Sequence, residues 1–134
     1  MATAMNDLLQ AKDQGIAPWT ELVSENAHMA VYRDAYPVTP GHLLFVPINN
    51  TDENILVCMG AALLQGQQMV ASGQCDGFNV GVNMGRAAGQ TVMYPHVHLI
   101  SRRHGDCADP VGGVRAVVAG QANYRSTSYI NPNN

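Results

Sequence analysis

A chain of 134 residues suits one domain built around one core. Its composition, 46% apolar and 13% charged, is that of a globular protein and excludes a disordered one. The net charge of −3 argues against a partner such as long nucleic acid, whose phosphates call for a basic surface.

From the N-terminus, residues 4–14 are predicted as a short helix stopped near Gly15. There is no basic start followed by an apolar run, so no secretory leader is expected. Trp19 follows Pro18 in a connector. Residues 20–25 and 28–33 read as two short strands. Pro37, Pro40 and Gly41 mark a turn. His42 to Pro47 is an apolar strand. Residues 52–72 are predicted as the one long helix, capped by Thr51 or Asp52, with Ile55, Met59, Leu63 and Val70 on its apolar stripe. Gly60, Gln65, Gly66, Gln67 and Gln68 make this segment too polar to cross a bilayer, so no membrane partner is expected. Phe78 to Val82 reads as a strand and Asn83 to Gly89 as a loop of small residues. Val92 to Ile100 reads as a further strand. The tail, 104–134, is turn-rich and irregular. No repeat or linker divides the chain, which is expected to be a single α+β domain over 1–134. Cys58, Cys75 and Cys107 are widely spaced and form no CxxC pair, which speaks for free thiols and a cytoplasmic location.

The charge is uneven. Up to residue 80, Lys12 and Arg33 face eight acids; beyond it, Arg86, Arg102, Arg103, Arg115 and Arg125 face only Asp106 and Asp109. Arginine holds phosphate through parallel hydrogen bonds, and Arg86 and Arg115 are the candidates for that role here.

The most informative segment is Val92-Met93-Tyr94-Pro95-His96-Val97-His98-Leu99-Ile100. Alternation along a strand puts Met93, Pro95, Val97 and Leu99 on a core face, and Tyr94, His96 and His98 on the other. Pro95 cannot donate to a ladder, so the strand is expected to lie at an edge or to be irregular there. The loop directly before it, with Gly89, Gln90 and Thr91, offers backbone N–H groups and short side chains to phosphate oxygens. Two chemistries compete for the histidine pair. A metal of the facial-triad type needs a nearby carboxylate. No Glu follows Glu53, and Asp106 and Asp109 lie in the tail, so no metal ligands are assigned. The alternative is nucleophilic attack on phosphorus by one imidazole, with the other binding phosphate or moving a proton. Two histidines merely solvated on a strand face fit poorly beside such a loop and the arginines.

Gly89-Gln90-Thr91-Val92 followed by Tyr94-Pro95-His96-Val97-His98-Leu99-Ile100 resembles the motif of the histidine-triad (HIT) family. Pro37-Val38-Thr39-Pro40-Gly41-His42-Leu43-Leu44-Phe45-Val46-Pro47 resembles its second signature, and together the likeness covers residues 20–103. It implies an antiparallel β-meander of about five strands with one long helix, and a homodimer formed near that helix and an edge strand. It implies His96 as the nucleophile, His98 as phosphate ligand and proton donor, and His42 as a further active-site histidine. Asp34, eight residues before His42, matches the residue that holds the ribose. Asn83, Arg86, Gly89, Gln90, Thr91 and Tyr94 are the remaining candidate substrate contacts. His28 and His104 match nothing and are read as surface. Tyr94 replaces the first histidine of the triad. In the family, that position supplies a main-chain carbonyl to the nucleophile, which any residue can do. Tyr-Pro-His also resembles the His-Pro-His of the related galactose-1-phosphate uridylyltransferases. The implied activity is nucleotide hydrolysis or nucleotidyl transfer at the α-phosphorus, with nucleoside phosphoramidates or dinucleoside polyphosphates as substrates and a nucleoside monophosphate as product. A nucleotide-binding sensor with little turnover is the alternative. No cofactor is required, although a divalent metal can accompany the nucleotide.

Overall fold

The computed structural model describes residues 5–134, so the first position of the expected N-terminal helix lies outside the described residues. Helix α1 is Leu8–Asp13, shorter than expected. Asp7 caps it by accepting the Gln10 N–H at 2.8 Å. It stops where Gly15 takes φ +73°, a conformation open to glycine.

Strands β1 (Leu22–Glu25) and β2 (Met29–Arg33) form a hairpin. Asn26 shapes its turn by accepting the N–H groups of His28 and Met29. Strand β3 (Leu43–Pro47) pairs with β2. Helix α2 (Asp52–Ala71) carries the chain over one face to β4 (Gly77–Val82), and β5 (Val97–Arg102) returns between β3 and β4. The sheet is antiparallel throughout, in the order β1-β2-β3-β5-β4. The first three strands are a plain meander, and the helical crossover then makes β5 central rather than an edge.

The central place of β5 explains where it starts. The strand expected over 92–100 begins only at Val97, because a proline has no N–H for a ladder and does not fit a position paired on both sides. Of the alternatives for Pro95, local irregularity is the one that holds. Met93, expected on the core face, is 42% exposed, since it lies before the strand's alternation begins.

Each face of the sheet carries a cluster. Met29, Val31, Phe45, Val97 and Leu99 pack against α2. Ala30, Tyr32, Leu44 and Val46 pack against Leu8, Ala11, Trp19 and Tyr94. The buried stripe of α2 is Ile55, Cys58, Ala62, Gly66 and Met69. Leu63 and Val70, expected in that stripe, face outward with Leu56 and Leu64. Small residues face the sheet because the helix lies close to it: a Cβ on Gly66 would come within 2.5 Å of the Phe78 ring. The tail has one 3₁₀ turn, Gly113–Val117, and is otherwise irregular, as expected. The cysteines are free, with Cys58 and Cys75 buried. No helix among the described residues is long and apolar enough to cross a membrane.

Two glycines of α2 are expected to respond in opposite ways to alanine. A Cβ at Gly60 meets nothing, so Gly60→Ala gains about 0.5–1 kcal/mol from helix propensity alone. At Gly66 the clash with Phe78 outweighs that gain, with a net loss of about 1–2 kcal/mol. Urea midpoints measure both, and shifts of the same sign would refute the account of α2 packing.

Candidate active site

The histidines meet on the sheet face opposite α2. His98 lies on β5 between Leu44 of β3 and Gly81 of β4. Gly81 offers no side chain beside it, and a Cβ there would enter open space. His42 enters from the loop before β3 and His96 from the irregular segment before β5. The rings form a row: Trp19 to His96 is 4.9 Å between centroids, His96 to His98 is 5.1 Å, and His98 to His42 is 5.1 Å.

Hydrogen bonds fix the protons along this row. The Tyr94 carbonyl lies 2.9 Å from His96 Nδ1. A carbonyl only accepts, so Nδ1 carries the proton and Nε2 is left with its lone pair. His42 is set the other way. The Val38 N–H donates to His42 Nδ1 at 3.1 Å, which places the His42 proton on Nε2. That proton is directed at His98 Nδ1, 2.9 Å away. His98 therefore carries its own proton on Nε2. The result is one imidazole ready to attack and a second ready to donate.

Electrostatics agree with these neutral forms. Burial lowers the pKa of His96, partly opposed by the Tyr94 hydrogen bond and the charge of Asp34. Burial also lowers His42, again opposed by Asp34. His98 is pushed down to about 4, by burial first and then by its histidine neighbours.

Asp34 is partly buried, with Oδ2 at 3.4 Å from His42 Nε2 and Oδ1 accepting the Tyr36 N–H. Its carboxylate stands with His42 and His98 as three donor atoms within 4.8 Å of one another. The fold thus supplies from upstream the carboxylate that appeared to be missing beside the histidine pair. Two observations weigh against ligation in the present arrangement: the Val38 N–H keeps the His42 proton on Nε2, and His98 Nδ1 is occupied by His42.

The loop before the site is a short 3₁₀ turn, Arg86–Ala88, closed by Gly89 at φ +88°. Gln90, a candidate substrate contact, has its side-chain amide engaged in bracing the loop. It is buried, accepts the Gly85 N–H at 2.8 Å and donates to the Val92 carbonyl at 3.1 Å. Asn83 lines the cleft with His42 and His98. Gly89, Thr91 and Arg86 are exposed. Tyr94 does not share a face with the histidines. Its side chain is buried, with the hydroxyl donating to the Pro47 carbonyl at 2.6 Å, because the strand alternation that would have turned it outward starts three residues later. Arg115, a candidate phosphate contact, is engaged within the tail. Its guanidinium donates to the carbonyls of Ala122 and Gln121 and lies over Tyr124 and Tyr129. His28 and His104 are exposed, as expected.

Two contributors were missed in the sequence, and the tail's approach to the pocket was expected only through Gly112-Gly113 and Arg115. Trp19 lies tilted against His96, and its only signal was being the chain's single tryptophan. Ser101 is fully buried and, together with Arg103, donates to the Pro40 carbonyl, holding the loop that brings in His42. The tail forms one wall of a cleft of about 830 Å³ that opens beside His98.

With this geometry in place, the comparisons with known proteins are specific. Residues 19–105 match the HIT domain family, and the chain belongs to it. It is 30% identical over 115 residues to the adenylylsulfatase HINT3 of Arabidopsis thaliana, an alignment that covers 79% of this chain and 57% of that protein. Protein HitA of Neisseria gonorrhoeae is 31% identical over 87 residues, which are 60% of this chain and 81% of HitA. The crystal structure of a zinc-bound histidine triad family protein from Mycobacterium smegmatis superimposes with a TM-score of 0.62 at 28% identity, covering 74% of this chain and 76% of that one.

Two predictions follow from the site. In Tyr94→Phe the carbonyl that orients His96 survives and only the buried hydroxyl is lost. Stability is expected to fall by about 1–2 kcal/mol, the cost of a buried carbonyl left without its donor, while turnover stays close to wild type. A loss of roughly 10²–10⁴ in kcat with the fold intact would instead make the hydroxyl an acid–base group. The second concerns pH. His98 titrates near 4 when folded and near 6.5 when unfolded, so between these values the unfolded chain binds the extra proton. Its contribution to stability is complete above about 6.5 and is lost as pH falls toward 4. Urea midpoints are expected to decline across that window, and less steeply in His98→Gln; identical slopes would refute the assignment.

Proposed function

We propose that this protein is a nucleotide hydrolase or nucleotidyl transferase working through a nucleotidyl-His96 intermediate. The observation that carries the reading is the pair of opposed tautomers: His96 with a bare Nε2, and His98 with a protonated one. The His96 Nε2 lone pair attacks the α-phosphorus and an N–P bond forms. The bond from phosphorus to the leaving group breaks, and its electron pair goes to the leaving atom. That atom takes up a proton delivered from solvent through His98 Nε2. Water then attacks the phosphorus and the N–P bond breaks. The electron pair returns to His96, the water's proton leaves to solvent, and a nucleoside monophosphate is released. Splitting one displacement into two is what a nucleophilic imidazole contributes.

Asn83 and the Gly89–Thr91 loop are proposed to hold the phosphate, Asp34 the ribose, and Arg86 to attract the anion from the loop's exposed side. Phosphoramidates and dinucleoside polyphosphates are the substrate classes, with purines favoured by the family likeness. A divalent ion enters only with a polyphosphate. A second copy of the chain is proposed to cover the outward leucines of α2, Leu56, Leu63 and Leu64, beside the unpaired edge of β4.

Rapid mixing with a substrate radiolabelled at the α-phosphorus tests the reading. Wild type is expected to show label that stays on the protein, at His96, after denaturation in alkaline detergent, where an N–P bond survives. His96→Ala is expected to show none and to lose at least about 10³-fold in turnover, as covalent catalysts do. Tight nucleotide binding with no label and no turnover would favour a sensor module instead.

A further inference from the structure

His96 sits one residue before β5, so no strand ladder pairs it. Its ring is held by side-chain contacts: the bond from Nδ1 to the Tyr94 carbonyl at 2.9 Å, the His98 ring at 5.1 Å and the Trp19 ring at 4.9 Å. One hydrogen bond leaves an imidazole free to swing about its side-chain torsions, so the flanking rings decide where Nε2 points. His98 is fixed by the strands paired on both sides of it. Trp19 lies in a connector without regular structure, and yet it is buried.

What fixes Trp19 comes from the chain before it. Lys12, in the last turn of α1, donates from Nζ to the Trp19 carbonyl at 2.9 Å. The same ammonium lies 4.7 Å over the Tyr32 ring of β2, and that ring is 6.2 Å from the indole. One charge thus joins the helix, the connector and the sheet. The helix is tied down at its other end. The Leu8 N–H donates to the Ile48 carbonyl at 2.8 Å, and Asn50 Nδ2 donates to the Met5 carbonyl at 2.8 Å. The Ile48 carbonyl also takes the Tyr94 hydroxyl at 3.2 Å. Residues 5–19 therefore meet the Tyr94–His96 segment twice, at its head through Ile48 and at its end through the indole. The family match begins only at residue 19, so α1 and Lys12 precede it.

We propose that residues 5–19 form a brace that holds the His96 imidazole in its attacking orientation, with Trp19 as the positioning residue and Lys12 as the group that seats it. The effect on rate rests on the reading of His96 as nucleophile; the effect on the ring does not.

Two measurements on the full chain test the brace. The first is single-turnover labelling of His96 at saturating adenosine 5′-phosphoramidate, beside the affinity for AMP. Trp19→Ala is expected to slow labelling by roughly 10–100-fold, the scale of a misplaced reacting group, with AMP affinity unchanged. Trp19→Phe restores an aromatic wall and is expected to recover most of the rate. Lys12→Met keeps the stem over Tyr32 and removes the donor, and is expected to slow labelling by about three- to tenfold. Leu9→Ala, on the exposed side of α1, is expected to keep the wild-type rate. The second is nitrogen NMR of His96 in the folded protein, which a loss of stability alone does not move. Wild type is expected to show one tautomer, protonated at Nδ1, and Trp19→Ala a mixture of two. A folded Trp19→Ala with the wild-type labelling rate, or with the single tautomer kept, would overturn the brace. So would weaker AMP binding with labelling at saturation unchanged, since Trp19 would then touch the ligand. Should Trp19→Ala fail to fold, Lys12→Met decides, and a wild-type rate and tautomer there would overturn the proposal. Absence of the adduct in wild type with every nucleotidyl substrate would overturn the nucleophile reading, while the tautomer measurement would still judge the brace.

Discussion

The hydrogen bond from His96 Nδ1 to the Tyr94 carbonyl sets the proton arrangement of the histidine row, and its geometry depends on the backbone around Pro95. In a regular strand a carbonyl lies in the plane of the sheet and is taken by the neighbouring strand. Here the ladder does not begin until Val97, so the carbonyl of residue 94 is left to the imidazole two positions on. The same irregularity lets the Tyr94 side chain drop into the core, where its hydroxyl ties it to the end of β3. A buried tyrosine thus anchors the peptide group that sets the His96 tautomer. The side chain and the carbonyl of one residue divide the tasks of packing and of holding the imidazole.

Around that fixed point, the second half of the site is arranged through the loop before β3. Ser101, Thr39 and Arg103 bind this loop to the end of β5, and the loop in turn presents the Val38 N–H to His42. A main-chain amide at one end of the row and a main-chain carbonyl at the other impose opposite protonation on His42 and His96. Neither group depends on a side chain, so the proton arrangement is written into the backbone. Burial then keeps the imidazoles neutral by making their charged forms costly.

Much of this could be read from the sequence, because His-x-His after a loop of small residues, with a second histidine-headed strand upstream, carries chemistry at fixed spacing. The five-stranded antiparallel sheet with one long helix, and the hydrogen bond from His96 to the carbonyl of residue 94, were legible on that basis. Other features were hidden for specific reasons. The buried stripe of α2 did not follow its largest apolar residues, since close approach to the sheet favours Cys58, Ala62 and Gly66 and leaves leucines outside. Gln90 looked like a ligand contact because nothing local shows that its amide is used to close its own loop. The carboxylate beside the histidines was sought downstream in sequence, whereas a strand pairing brings Asp34 next to His42 from before it. The tail lacks periodicity altogether, so its place in the cleft is set by tertiary contacts alone.

Trp19 stands 4.9 Å from His96 and is the chain's one tryptophan. An indole so close to an imidazole shares its surroundings, and its fluorescence responds to the charge and solvation of that neighbour. Any change in charge or solvation at His96 therefore has a built-in optical reporter, with no second tryptophan to dilute the signal. Protonation of the imidazole, or a ligand set against it, alters the field at the indole. Such changes can be followed by the protein's own emission, without a dye or an introduced label.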